Sequence, residues 1–283
     1  MDLAHSPRSR LVEMLRHSAW VETRRMGFGI TESPKPPRAV LIVGLPLLDA
    51  SPAETALRAG ADALLFEALV RTADAREQLA QTVRNLGDAP SGLVLGEGTA
   101  LDSLPPLGRD GLDFVVARSE DVPPSFLGVE AGKGVVVDHD LPPSLVRSVN
   151  DLPLDFVVLG TISAEQPVAL TLRQMLSLRL LAEGLRKPVV LASSYLRGPD
   201  DLTYFEHVGL DGLVPDVEPA SRSSHDLESL IGQYRKALDS LGGRLLSRRR
   251  AEVIPTLPRV TPAPVRETEP GEPDEQRSGS WCR

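Results

Sequence analysis

Three ionisable residues, Asp138, His139 and Asp140, stand next to one another directly after the apolar run KGVVV. Histidine titrates near neutral pH, so it can give or take a proton in a reaction or bind a metal ion. Adjacent ionisable groups at the end of one apolar run are a stronger indication of chemistry than a single one. We therefore predict that Asp138 and His139 are catalytic residues.

Polar residues occupy the corresponding place after other apolar runs. These residues are Glu67, Glu97, Arg118, Thr161 and Asp216. If the runs are strands that end at one edge, the acids form an oxygen-rich ring, which suits Mg²⁺ or Mn²⁺. The sequence predicts a catalytic role for Glu67 and a divalent-metal site made by Glu97, Asp138 and Asp216. Arg118 and Thr161 are predicted to bind the ligand.

Eight apolar runs have the length and the flanking breakers of β-strands. They are AVLIVG from Ala39, DALLFE from Asp62, SGLVLG from Ser91, DFVVA from Asp113, KGVVVD from Lys133, DFVVLG from Asp155, KPVVLA from Lys187 and DGLVP from Asp211. The runs are continuous rather than alternating, which is typical of parallel strands covered on both faces. Each interval between runs has room for a helix.

Every second run opens in the same way, as GADALLF, GLDFVVA, PLDFVVL and GLDGLVP. The repeat indicates four strand–helix–strand–helix units, and eight parallel strands in such a series close into a barrel. The predicted fold class is therefore α/β, a single (β/α)8 TIM barrel. The shared Asp precedes each strand, at the bottom of the barrel, where residues usually serve stability. We expect Asp62, Asp113, Asp155 and Asp211 to tie the incoming turns.

The two ends of the chain differ from the barrel region, which we predict to span residues 39–245. Residues 1–38 are predicted to form a helix, with Leu11, Met14 and Leu15 on its apolar stripe, and then a Pro-rich linker. Residues 246–283 are rich in Pro, Glu and Arg and are predicted to be a disordered tail. Within the barrel, capping boxes are predicted at Ser51–Glu54 and at Thr171–Gln174.

The segment PVVLASSYLRGPDDLTYFEHVGLDGLVPD resembles strand 7, the next helix and strand 8 of the aldolase-type TIM barrels. That group includes flavin-dependent nitronate monooxygenases and many phosphate-binding isomerases and synthases. The resemblance implies a site for FMN or a phosphorylated metabolite in the turns after strands 7 and 8. There the group has glycine-rich turns, but this chain has Ser193 and Ser194.

Ser193, Ser194 and Arg197 are accordingly predicted to bind a ligand, and the hydroxyl of Tyr195 could add a hydrogen bond. The nearby cations are Arg197 and Arg222. Four carboxylates, those of Asp200, Asp201, Asp216 and Glu218, surround the same turns. Because like charges repel a dianion, we predict that the usual phosphate site of the group is absent.

Composition limits the classes of function. The formal net charge is −8, which disfavours binding to nucleic acid or to an anionic membrane. The single cysteine and the lack of a signal-like apolar segment favour a cytoplasmic protein. We consider three functions: a small-molecule enzyme using rim carboxylates, with a divalent metal, as a lyase, hydrolase or isomerase; an FMN- or phosphate-binding barrel; and a non-catalytic barrel with a binding or regulatory role.

Overall fold

Eight parallel strands form a closed barrel in chain order, as the repeat predicts. Each strand pairs with the next, and β8 pairs with β1 through Val40 opposite Gly212. The strands are β1 Val40–Leu45, β2 Ala63–Phe66, β3 Ser91–Leu95, β4 Phe114–Arg118, β5 Gly132–Val137, β6 Phe156–Leu159, β7 Val189–Ala192 and β8 Gly212–Val214. All eight lie within the apolar runs of the sequence or within one residue of them.

This computed structural model describes residues 9–19, 39–46, 48–67, 70, 72–97, 101, 104–108, 111–160, 162, 170–192, 195–206, 208–217 and 223–241. They all belong to the first of two units of the chain, Met1–Glu252 and Val253–Arg283. The Pro-rich linker and the disordered tail that we predicted lie outside the described residues.

Helices surround the barrel, and one precedes it. They are α1 Arg10–Ala19, α2 Ala50–Arg58, α3 Ala73–Asn85, α4 Pro143–Asp151, α5 Leu172–Gly184 and α6 Ser224–Leu241. Short 3₁₀ helices at Pro124–Gly128 and Pro199–Phe205 take the place of α-helices after β4 and β7. None of the helices in the described ranges is long and apolar enough to cross a membrane.

One of the two predicted capping boxes forms. At the start of α5, Thr171 and Gln174 cap each other's backbone, as predicted. The box predicted at Ser51–Glu54 is wrong, because α2 begins at Ala50 and its N-cap is Asp49, whose side chain accepts a hydrogen bond from the Ser51 amide. Both Asp and Ser are good N-cap residues, so the sequence pattern alone does not decide whether Asp49 or Ser51 caps the helix.

Two phenylalanines fill the barrel lumen. The rings of Phe114 and Phe156 meet edge to face with centroids 6.1 Å apart. A side chain at Gly92 would collide with Phe114, and one at Gly134 would collide with Phe156. The glycines of β3 and β5 therefore leave the space that the rings on β4 and β6 occupy, which is how a barrel of this size packs its interior.

Three of the four repeated Asp residues tie strands together at the bottom of the barrel through their carboxylates. Asp62 donates its amide to Leu41 O and accepts the Leu41 amide on its carboxylate at 2.9 Å. Asp155 makes the same exchange with Lys133, and Asp211 makes it with Val189. The stabilising role expected for these residues is therefore observed at three of the four positions as the same pair of hydrogen bonds to the preceding strand.

Asp113, the fourth member of the repeat, holds helix α1 instead. Its carboxylate accepts hydrogen bonds from the Ser9 hydroxyl at 2.8 Å and from the amides of Arg10 and Leu11 at 2.8 and 2.9 Å. Leu11 and Leu15 then pack into the same apolar cluster as the lumen side chains, and both are fully buried. Helix α1 therefore closes the bottom of the barrel and leaves the opposite end as the mouth.

Candidate active site

Strand register decides which predicted residues face the mouth of the barrel. Side chains alternate along a strand, so Asp138 continues the lumen-facing series of Gly134 and Val136, and Arg118 continues that of Phe114 and Val116. Glu67 also points inward, because a side chain on Gly44 would collide with its carboxylate. Three of the predicted residues, from β2, β4 and β5, therefore face the mouth.

Asp138 is the centre of a hydrogen-bonded cluster at the C-terminal ends of β5 and β7. Its Oδ1 accepts a hydrogen bond from the Tyr195 hydroxyl at 2.5 Å and lies 2.6 Å from His139 Nδ1. The His139 amide also donates to this oxygen at 2.6 Å. The rings of His139 and Tyr195 meet edge to face, with centroids 6.2 Å apart. Two side chains and one backbone amide thus fix the position of one carboxylate.

Gln174 determines which nitrogen of His139 carries the proton. The amide and hydroxyl of Thr171 both bond to Gln174 Oε1, at 2.9 and 3.0 Å, so this oxygen is the acceptor of the capping box. Gln174 Nε2 therefore donates to His139 Nε2 across 3.3 Å. It follows that Nδ1 carries the hydrogen that His139 donates to Asp138, and that the lone pair of Nε2 accepts the hydrogen bond from Gln174.

The cluster shifts the pKa values of two of its members in opposite directions. Desolvation raises the pKa of Asp138, but hydrogen bonds from Tyr195 and from the backbone and ring of His139 outweigh it, so this pKa lies below the usual value. Burial, the hydrogen bond to Asp138 and the charge of Asp138 all raise the pKa of Tyr195. At neutral pH, Asp138 is therefore an anion and Tyr195 a neutral donor.

The predicted metal site does not assemble. No group of three His, Cys, Asp or Glu side chains in the described part of the chain is placed to hold a metal ion. Glu97 lies exposed beyond the end of β3. Burial, followed by the charges of Asp216 and Asp201, raises the pKa of Tyr234 on α6 to about 12. The expected convergence of Glu97, Asp138 and Asp216 on one metal ion is therefore not observed among the described residues.

The predicted ligand-binding residues are only partly described. Arg118 ends β4 and is exposed at the mouth. The exposed Arg197 donates its backbone amide to Asp201 Oδ2 at 2.8 Å, so this carboxylate takes a donor that a phosphate would need. Thr161, Ser193 and Ser194 lie outside the described residues. Two surface grooves, one between α2 and α3 and one between the second 3₁₀ helix and α6, are lined by none of the residues predicted for the site.

Sequence reasoning missed two members of the cluster. Tyr195 was expected to donate to a bound ligand, but its hydroxyl donates to Asp138, 57 positions earlier in the chain. Gln174 was recognised only as a helix cap, yet its side chain also reaches His139. Gln174 lies on the helix after β6, the strand adjacent to β5, and Tyr195 lies after β7, the strand beyond it. A search for polar residues after these two strands would therefore have found both.

Comparison with known proteins supports the fold and no particular family. No protein-family model and no curated protein matches the chain. Solved structures do match. A tryptophan synthase structure from Mycobacterium tuberculosis has a TM-score of 0.58 and 13% identity, with 81% of this chain and 98% of that chain covered.

Other solved structures give the same result. A tryptophan synthase from Pyrococcus furiosus has a TM-score of 0.54 and 14% identity, with 70% of this chain and 98% of that chain covered. A protein from Aquifex aeolicus has a TM-score of 0.52 and 12% identity, with 71% and 93% covered. At such identities the likeness shows the fold alone, and that fold is the (β/α)8 barrel predicted from the sequence.

Proposed function

We propose that the protein is a small-molecule enzyme in which His139, oriented by Asp138, moves a proton at the C-terminal ends of β5 and β7. The observation that carries this proposal is the cluster of Asp138, His139, Tyr195 and Gln174 at the C-terminal ends of the strands. In this fold, active sites gather at that end. The reaction classes that fit are those that begin with proton transfer at one carbon or oxygen atom: lyase, hydrolase and isomerase reactions.

His139 has the arrangement of a general base. The Asp138 carboxylate holds the Nδ1–H tautomer and stabilises the ring after it gains a proton, which is what a carboxylate does for a catalytic histidine elsewhere. Nε2 is then the atom that takes the proton. The contact of Nε2 with Gln174 is long, at 3.3 Å, so a substrate hydroxyl or water can replace the amide at low cost.

Other mouth residues would bind the substrate. Arg118 faces the mouth from β4 and is the cation best placed to bind an anionic group of the substrate. Glu67 faces the mouth from β2 and supplies a second carboxylate. This set favours a small polar substrate that carries a carboxylate. The fold comparison adds support, because the neighbouring structures are named as synthases of a small molecule.

We assign no step to a metal ion. The described residues offer Mg²⁺ or Mn²⁺ no group of three ligands. Asp138 Oδ1, which the sequence suggested as a ligand, is already engaged by Tyr195 and His139. Proton transfer by His139 requires only the residues that the cluster contains, so the metal-independent form of the enzyme is the one the geometry favours.

The test is to incubate the full-length protein with a pool of cellular metabolites and to measure substrates and products by untargeted mass spectrometry. We expect the wild type to deplete at least one small polar metabolite. His139→Ala and Asp138→Asn should each abolish that change, because the first removes the base and the second removes the anion that orients it.

His225→Ala is the matched control. His225 also stands beside an acid, with Nδ1 3.6 Å from Asp226 Oδ1, but its side chain is fully exposed on α6. Its substitution should leave turnover unchanged. If the wild type changes no metabolite, or if the His139 variant acts as fast as the wild type, the enzyme proposal fails and the non-catalytic barrel takes its place.

A further inference from the structure

Exposed apolar side chains are concentrated on two neighbouring helices. Of the large hydrophobic residues that the described part of the chain exposes, five are leucines of α4, α5 or the residue just after α4, and the other is Tyr204. The leucines are Leu145, Leu152, Leu172, Leu176 and Leu180. The two helices pack together, since Asn150 Nδ2 donates to Gly184 O at 2.9 Å and a side chain at Gly184 would touch Val146. The leucines therefore belong to one side of the barrel.

Helix α5 is apolar on two opposite faces. Leu178, Leu181 and Ala182 are buried against the barrel. Leu172, Leu176 and Leu180 recur every four residues on the outer face and are 76%, 60% and 57% exposed. We call these three residues the leucine ridge. A surface helix normally has a polar outer face, and an apolar outer face indicates a second covering element.

We propose that the leucine ridge is the centre of an interface with a second copy of this chain. Residues spaced by four form the ridges that interdigitate in the commonest class of helix packing, in which both helices contribute the same kind of ridge. Two copies related by a two-fold axis present identical surfaces to each other, so each copy contributes the same ridge and the same groove beside it. This proposal does not depend on the proposed function.

Charge supports an antiparallel pairing of the two α5 helices. With the two-fold axis at the level of Leu178, Leu176 of one copy lies opposite Leu180 of the other, and Arg173 lies opposite Glu183. Both charged residues are exposed and flank the ridge at its two ends. Glu183 also bonds to Arg179 of its own helix at 2.9 Å, so the acid is already held on the outer face where a partner arginine would meet it.

The apolar surface supplies part of the area that a dimer interface needs. At roughly 100 Å² of apolar surface per leucine side chain, the five partly exposed leucines offer an apolar centre on the order of 300 Å². A stable interface buries about 800 Å² per partner, with an apolar centre inside a polar rim. The charged residues of α4 and α5 supply that rim.

The test is sedimentation velocity on the full-length chain over the micromolar range. The wild type should sediment as a dimer. Leu176→Glu places two charges at the centre of the interface and should weaken dimerisation by at least ~30-fold, as loss of a central contact does. Leu176 is exposed in the single copy, so this variant should keep the far-UV circular dichroism and the melting temperature of a folded barrel. A wild type that stays monomeric at the highest concentration, or a dimer that survives Leu176→Glu, overturns the proposal.

Three further variants test the partner and the register. Tyr204→Ser removes an equally exposed apolar side chain outside the ridge and should leave the dimer intact. Arg173→Glu should weaken the dimer, and adding Glu183→Arg in the same chain should restore it, because the two exchanged charges again oppose each other. If the double variant is weaker than Arg173→Glu alone, the antiparallel pairing is wrong.

Discussion

Asp138 shows how one residue can organise a site through local and distant contacts at once. Its Oδ1 is held by the ring and amide of the adjacent His139 and by the hydroxyl of Tyr195 from β7. These donors stabilise the anion more than burial destabilises it, so the pKa of the carboxyl falls. The proton that His139 would accept therefore goes to Nε2, and Asp138 stays ionised.

The lowered pKa of Asp138 predicts a pH-dependent contribution to stability. A carboxyl whose pKa is lower in the folded than in the unfolded state stabilises the fold above the unfolded value of about 3.9. That contribution is lost as the pH falls through the lower folded value. Asp138→Asn should therefore reduce the free energy of unfolding near pH 7, and the difference from the wild type should disappear in strong acid. Urea unfolding between neutral and acid pH measures it, with Asp140→Asn as the control for the loss of one exposed negative charge beside the cluster.

Tyr195 should show the opposite pH dependence. Its pKa is raised in the fold, so its contribution is complete below the unfolded value of about 10 and is lost as the pH rises above that value. Tyr195→Phe should cost about 1–2 kcal/mol at pH 7, because it removes a hydrogen bond to a charged group. Above pH 10 the wild type should lose stability towards the level of the variant. The exposed Tyr204→Phe is the control, and an equal loss there would contradict the assignment.

At the scale of elements, the repeated Asp residues have two structural roles: joining neighbouring strands and capping helix α1. Asp62, Asp155 and Asp211 each join a strand to the strand before it. Asp113 caps helix α1, and Leu11 and Leu15 of that helix seal the bottom of the lumen. The Asp113 carboxylate accepts hydrogen bonds from the start of α1, whereas the other three carboxylates accept from the amide of the preceding strand. One position of the repeat therefore holds a helix and not a strand.

Asp113→Ala should therefore loosen α1 before it loosens the barrel. The substitution leaves the amides of Arg10 and Leu11 without their acceptor and should cost about 1–3 kcal/mol. Hydrogen exchange measured by mass spectrometry should show faster exchange in residues 10–19 and little change in the strands. Asp62→Ala is the matched control, since it removes a strand tie of the same repeat. Equal exchange of α1 in both variants would show that the cap does not hold the helix.

The described part of the chain forms a barrel, a fold that very different sequences can adopt. Its solved neighbours share 10–14% identity with it, yet the match extends over 70–81% of this chain. The fold depends on buried apolar strands and small lumen residues, which many sequences supply. The chemistry depends on particular side chains at the mouth, so the fold neighbours do not transfer their reaction to this chain.

A phosphate-binding corner at β7 and β8 should be absent. Asp201 accepts the Arg197 amide, and Asp200, Asp201 and Asp216 add negative charge around the same turns. We expect no saturable binding of inorganic phosphate or FMN in isothermal titration calorimetry. Micromolar FMN binding that disappears in Arg197→Ala would reverse this prediction and make the flavin or phosphate barrel the better proposal.

The sequence by itself determined the architecture of this protein. Continuous apolar runs separated by helix-length intervals, with an Asp before every second run, indicate a parallel barrel, and all eight strands form where the runs predict them. These signals are local and repeat along the chain, so they are readable without knowing which distant residues meet. The sequence also indicated Asp138 and His139, because two ionisable residues at one strand end are adjacent in the chain itself.

Only the tertiary structure decided which other residues join them. Tyr195 and Gln174 reach the Asp138–His139 pair because β5, β6 and β7 are neighbours in the barrel, and the orientation of each side chain depends on strand pleat and helix start. Glu97 and Asp216 are also acidic residues that follow strands, yet they form no metal-binding group with Asp138. A shift of one residue at a strand end turns a side chain from the lumen to the helix layer, and the sequence pattern does not specify that shift.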